Sequence, residues 1–530
     1  MKPNGQVAYH RSCLDGTLQP IPLCASDAEA QPAPLIVELS PGSIANLPRS
    51  VQTCEKFVGW AAQGGERCVV IKPGQRGPGS VAQGPAEVDV LEAIEWTCEH
   101  FPIDRSRISV TGSSMGGAAT WYLASHYPDL FAAAAPFCGY CDYRLWTKPG
   151  GLIMRAHEWE HPSWLGRGAA YRAENLANMA VWIIHGGWDT SIGGGVPVAH
   201  SRRMHERLGA LGADCTYTEV PECGHGCCNE QIGPQVIQWL CRQRRPDCPG
   251  RVRLVAHTLR HNRSFWLSVD QFEDYGRPAR VDARHEGREL RAQTDNVRRL
   301  SLGPIRALPE AGVRLDDTSI NGLDLSAGAL GFEKVDGRWR PAQLQQPGCK
   351  HHGASGPVGD VLFAPQRFVF GTGGSIQENF VLRWLERDVP AFFRKFNGGV
   401  HRGVFAGESW YDLPAIADSE VTEDEVLGSN LVLYGSAASN AVWRRLAPGL
   451  PVEVGQRGVQ LAGRTFEATD VGFAAVFPHP ENDERSVVLI GGTSPEALAG
   501  SSHLNLQLLP DYLVWQGEKT WWGFFDNHWR

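Results

Sequence analysis

Between the short strand-like run Ile108-Ser-Val110 and a stretch of small residues from Gly116 to Ser125 lies Gly112-Ser-Ser-Met-Gly116. A chain that passes from strand to helix in so few residues must turn sharply. Side chains on either side of the turn would clash, which is why glycines flank it. The turn lifts Ser114 above the carboxyl edge of a sheet and puts its hydroxyl at a helix N-terminus. There the backbone N–H of Met115 points toward an oxygen that gains negative charge. The segment therefore predicts a parallel sheet with helices and makes Ser114 a candidate nucleophile. The competing reading is a glycine-rich turn with a capping serine.

A serine hydroxyl needs a base. Downstream, Ile183-Ile-His-Gly-Gly-Trp-Asp189 puts an aspartate just past a predicted strand, Val181–Ile184. Tyr217–Val220 then leads into Pro221-Glu-Cys-Gly-His225, a histidine on a glycine loop. Loops of a parallel sheet cluster at one edge, so both positions can reach Ser114. His225 is predicted to take the serine proton and return it to a leaving group, and Asp189 to orient the imidazole. The chain has 18 histidines, so position carries this choice. A surface histidine and a loop-capping aspartate are the alternatives.

Strand-like and helix-like segments alternate through residue 245, which predicts an α/β domain over 1–245 with a mainly parallel sheet. Pro246–Gly250 reads as a linker. From Arg251 the texture changes to short alternating runs such as Ser264-Phe-Trp-Leu-Ser-Val269. This predicts a small antiparallel β-rich domain over 251–345. Over 346–530 the α/β texture returns, with strands at Arg367–Phe370, Asn430–Tyr434 and Ser486–Ile490, and predicts a smaller open-sheet domain. The acidic run Asp418–Glu425 reads as a solvated loop or a helix start. Gly371-Thr-Gly-Gly374 lacks the lysine of a P-loop and the spacing of a dinucleotide fingerprint.

Composition narrows the partners. Hydrophobic residues make up 42% and charged residues 20%, and the net charge of -8 has no long block of one sign. That argues against nucleic acid and against attraction to an anionic membrane. No apolar run spans a bilayer. The N-terminal residues lack an apolar leader core, which predicts a cytoplasmic chain or a secreted one whose leader has been removed. Thirteen of the 14 cysteines precede residue 250. Cys138 and Cys141 form C-x-x-C, but no second paired cluster supports zinc. Packed free thiols are the leading expectation, with disulfides the alternative, and no metal or cofactor is expected.

The stretch 140–170 carries Trp146, Trp159 and Trp164. Together with Trp188 they are candidates for a substrate pocket, against the alternative that the rings pack a long loop onto the core. The aromatic run Thr520-Trp-Trp-Gly-Phe-Phe525 reads as core or interface.

These residues resemble the α/β-hydrolase superfamily, in particular polyhydroxybutyrate depolymerase-like and feruloyl esterase-like enzymes, and are similar to the prolyl oligopeptidase catalytic domain. The resemblance runs from about Tyr9 to Ile237 and is most specific from Asp104 to Gly117. It implies hydrolysis of carboxylic esters, or less often amides, through an acyl-enzyme without a cofactor. It also implies a second oxyanion donor in the loop Leu39-Ser-Pro-Gly-Ser43. Pro41 has no N–H, so Gly42 is the first choice and Ser43 the second. Relatives usually carry His-Gly where this chain has Ser40-Pro41. The expected substrate is a small-molecule or polysaccharide ester, with feruloyl or acetyl groups of plant polysaccharides as the leading choice. A serine peptidase is the runner-up, disfavoured because no propeller precedes the domain here, and an inactive hydrolase-fold scaffold is the third reading. A homo-oligomer is compatible with everything above.

Overall fold

The computed structural model describes residues 5–26, 31–39, 46–77, 81–145, 156–191, 195–226, 229–396, 411, 413–455 and 457–530. Its first sheet contains β1 (Gln6–Arg11), β2 (Leu18–Ala25), β3 (Ala33–Glu38), β4 (Val69–Ile71), β5 (Ile103–Ser113), β6 (Ala133–Phe137), β7 (Ala180–Gly186) and β8 (Cys215–Val220), in the order β1-β2-β4-β3-β5-β6-β7-β8. From β4 to β8 every neighbouring pair is parallel. The first two strands form an antiparallel hairpin and pair antiparallel with β4.

The helices are α1 (Leu47–Gln63), α2 (Pro85–His100), α3 (Met115–His126), α4 (His161–Arg167), α5 (Ala199–Ala210) and α6 (Asn229–Arg242). Local chemistry starts α1: the Asn46 side chain accepts from the Arg49 N–H at 3.1 Å, and a proline lies in the first turn. Alternate strand residues face opposite helical layers, as the two-residue period of a strand requires. Ile36 and Val70 pack with Cys54, Val58, Val236 and Leu240 of α1 and α6. Leu35, Val37, Val69 and Ile71 pack with Val90, Leu123 and Met204 of α2, α3 and α5. Burial on both faces explains why β3 and β6 lack polar alternation.

Residues 251–342 form two five-stranded sheets that share one core, including Leu254, Leu267, Val281 and Leu300. The sequence reads as wholly antiparallel, but Glu289–Asp295 pairs in parallel with Ala311–Leu315. The chain between them runs through the other sheet, so the two strands enter from the same side. Farther on, a seven-stranded sheet spans Gln366–Gly523. Four of its strands are parallel and the last three join antiparallel. A separate three-stranded meander covers Val452–Phe466. The acidic run 418–425 supplies the start of the helix Glu423–Gly428, where Thr422 and Glu425 form a capping box. Among the described residues no helix is long and apolar enough to cross a membrane.

These parts touch at specific points. The amide of Asn175 donates to Val255 O and accepts from Val255 N–H, tying the first sheet's surroundings to the sandwich. Arg167 donates to the Gln507 carbonyl, and Tyr275 to the Asn527 side chain.

Candidate active site

β5 ends at Ser113 and α3 begins at Met115, so Ser114 alone makes the turn. Its backbone is left-handed, with φ 59° and ψ −113°, a conformation costly for a residue with a side chain. Two hydrogen bonds hold it: Ser114 N–H to Phe137 O at 2.9 Å, and Ala118 N–H to Ser114 O at 3.0 Å. Gly112 is required on steric grounds. A Cβ there would lie 2.6 Å from Gly116 O.

The three predicted side chains converge. The Ser114 hydroxyl lies 2.8 Å from His225 Nε2. His225 Nδ1 lies 2.7 Å from Asp189 Oδ2. In the neutral imidazole, Nδ1–H donates to the carboxylate and Nε2 accepts from the serine. Parallel strands bring them together: Asp189 follows β7 and His225 follows β8. Backbone bonds fasten the two loops, from Gly187 N–H to Val220 O at 2.9 Å and from Trp188 N–H to Cys223 O at 3.0 Å. Cys223, two residues before the imidazole, is disulfide-bonded.

Sequence reasoning missed His185. Its side chain is fully buried, with Nε2 3.1 Å from Asp189 Oδ2 and 2.9 Å from Val196 O. A carbonyl only accepts, so Nε2 carries the hydrogen, and Nδ1 accepts from the Ser201 hydroxyl at 2.7 Å. The Val196 N–H donates to the other Asp189 oxygen at 3.0 Å. Asp189 is thus held by two imidazoles and a backbone amide. Burial works to raise its carboxyl, but the hydrogen bonds from His185 and His225 outweigh it and hold the group below the ordinary carboxylate value. The available signal was that His185 stands four residues before the aspartate at a strand end.

Met115 is the first residue of α3, so its N–H has no partner within the helix. Gly42, Ser43 and Trp146 lie outside the described residues. Trp164, weighed as a pocket wall or as packing of a long loop, is buried. The residue is 3% exposed, belongs to the core shared with α2, α3 and α5, and its ring meets Tyr143 edge-on at 5.0 Å. Trp159 is half-buried against the core of the seven-stranded sheet and stacks on His157. Both rings answer to packing because the long connection after β6 must cover apolar surface. Trp188, next to Asp189, is 65% exposed.

Cys141 is a free thiol and buried. Cys138 Sγ and ligand atoms of Asp189 and His225 lie within 4.8 Å of one another. This trio is the one group among the described residues with metal-ligand spacing. A cation there would compete with the hydrogen bonds that already engage Asp189 and His225.

Residues 83–240 match the model of the prolyl oligopeptidase family. A secreted protein of Arthroderma benhamiae, described as uncharacterized, is 33% identical over 127 residues, covering 22% of this chain and 12% of its own length. Acetylxylan esterase A of Aspergillus awamori is 27% identical over 145 residues, 25% of this chain and 45% of the relative. Poly(3-hydroxyalkanoate) depolymerase C of Paucimonas lemoignei is 33% identical over 95 residues, 15% and 23%. The chain thus spans less than half the length of these curated relatives. The sheet order, the serine turn and the family match agree on an α/β-hydrolase fold for this part of the chain.

Proposed function

We propose that this α/β-hydrolase domain is a serine esterase with Ser114 as nucleophile, His225 as general base and acid, and Asp189 as the group that orients His225. The observation that carries the reading is the chain of contacts at 2.8 Å and 2.7 Å from hydroxyl to imidazole to carboxylate. Ser114 Oγ attacks the ester carbonyl and its proton passes to His225 Nε2. Asp189 stabilises the imidazolium without taking the proton. The Met115 N–H, with Gly42 N–H as the proposed second donor, holds the oxyanion. Collapse expels the alcohol, which takes the proton from His225. Water, activated by the same imidazole, then releases the acid.

Acetyl or feruloyl esters of plant polysaccharide are the proposed substrates, supported by the esterase names among the relatives and by the exposed Trp188 ring beside the acid. The family match to prolyl oligopeptidases favours a second reading, a serine peptidase. A panel of p-nitrophenyl esters beside aminoacyl-anilides separates them: turnover of esters is expected, and turnover of anilides alone would replace esterase by peptidase. Fluorophosphonate should label the folded protein. Ser114→Ala should abolish labelling and slow turnover on the order of 10³-fold or more. Wild-type turnover in that variant would remove Ser114 from the mechanism.

A further inference from the structure

A cavity of about 430 Å³ opens where the first sheet's helices, the β-sandwich and the C-terminal region meet. It is separate from the serine site. Tyr122 and His126, which line it, sit at the far end of α3, roughly 12 and 18 Å along the axis from Ser114 at 1.5 Å per residue.

Its walls are cationic and incompletely partnered. Arg172 is 1% exposed, and one of its nitrogens donates to Gly166 O at 2.6 Å. Its Nε and Nη1 have no partner, and neither does Nε2 of His257 beside it. Arg167 donates only to neutral acceptors, the side-chain oxygens of Gln83 and Gln507 and the Gln507 carbonyl. Arg260 lies 3.6 Å over the ring of Phe363. The nearby carboxylates are otherwise committed. Glu87 accepts from Tyr122 and Tyr127 and pairs with His261 and, at 3.8 Å, with Arg260. Asp360 accepts from the Ser355 hydroxyl, and burial pushes its carboxyl up to about 7. Burial keeps His126 and His257 well below the ordinary imidazole value, so these two rings add no positive charge at neutral pH. Arg172 is fully buried and Arg167 half-buried, and guanidiniums so placed without a hydrogen-bonded carboxylate are costly unless an anion joins them. Cavities at domain junctions, largely apolar with a few convergent polar groups, are where small ligands bind.

We propose that this cavity binds a small organic anion, its carboxylate or phosphate held by Arg172 and Arg167 and its apolar body lying against Phe363 and Trp522. The site goes beyond the esterase reading and does not depend on it. Calorimetric titration of the full chain with inorganic phosphate and, separately, with benzoate at matched ionic strength tests it. Saturable binding of one anion per chain is expected for at least one probe, and which one binds assigns the head group. Arg172→Met should weaken binding roughly 30-fold or more, as loss of one partner of a buried charge pair does, while ester turnover stays unchanged. Ser114→Ala should bind as the wild type does. Should Arg172→Met fail to fold, Arg260→Gln serves in its place with the same expected direction. The proposal is overturned if neither probe binds saturably, or if the folded wall variant binds as tightly as the wild type.

Discussion

The turn that carries Ser114 joins its strand to its helix through one residue, whereas the turn after the strand Gln366–Phe370 spends residues 371–375 before the helix Ile376–Phe396 begins. Both turns follow a parallel strand, and both need glycine for the same reason. A Cβ on Gly112 would meet Gly116 O at 2.6 Å, and one on Gly371 would meet Ser439 O at 2.6 Å. In the short turn the constraint falls on Ser114, which takes a left-handed backbone. In the long turn slack absorbs it, and Gly374 N–H simply donates to the Asn379 side chain. The nearby carboxylates differ in the same way. Asp189 faces two imidazoles. Asp418 accepts from the Thr372 hydroxyl at 2.7 Å and from Ala441 N–H at the start of the helix Ala441–Leu446. A parallel sheet with a glycine turn is therefore common ground. The proposed chemistry needs a strained serine and an imidazole set between it and an acid.

The largest test of this contrast exchanges the acids. Asp189→Asn should slow ester turnover on the order of 10³-fold or more, because the imidazole loses its orienting acceptor. Asp418→Asn should leave turnover within about twofold. Equal effects on p-nitrophenyl acetate hydrolysis would erase the distinction.

A variant outside both turns separates loss of fold from loss of chemistry. Burial works to raise the carboxyl of Glu87, but the charge of and hydrogen bond from His261, with Arg260 and Tyr122, bring it down to about 2, against an ordinary 4.5. A carboxyl lowered on folding stabilises the folded state fully above its unfolded value, and this contribution fades as pH falls through the folded one. Glu87→Gln should cost on the order of 3 kcal/mol at pH 7. The gap to the wild type should close as pH falls from 4.5 toward 2 in denaturant melts. A gap that widened in acid would mean that Glu87 is protonated in the folded state.

The glycines give a smaller effect with two readouts. Gly112→Ala and Gly371→Ala should each cost about 1–3 kcal/mol through overpacking. Thermal melts should move for both, but ester turnover per folded molecule should fall only for Gly112→Ala.

Smallest of all, Ser439→Ala removes a buried hydroxyl that accepts from Ser436 N–H at 2.9 Å. It should cost about 1 kcal/mol and leave turnover and fluorophosphonate labelling untouched.

Local rules made part of the site legible. Gly112-Ser-Ser-Met-Gly116 is a steric statement about five neighbouring residues, so the sequence exposes it. Asp189 and His225 could be picked because strand ends in a parallel sheet share an edge. The hairpin of β1 and β2 gave no comparable signal, since one edge strand reads much like a loop. Trp164 was ambiguous because an aromatic ring in a long connection serves a core or a cleft equally well. His185 escaped because nothing local says that an aspartate has a second imidazole beneath it.

By itself, then, the sequence determined where the strained serine stands and that the chain around it alternates strand and helix, because backbone sterics and side-chain periodicity act over a few residues. Only the tertiary structure decided that Asp189 is shared by two histidines, that Trp164 is core, and that Arg167, Arg172 and Arg260 face one cavity. Those facts depend on segments up to hundreds of residues apart meeting in space. Burial and unpaired donors exist only once they have met.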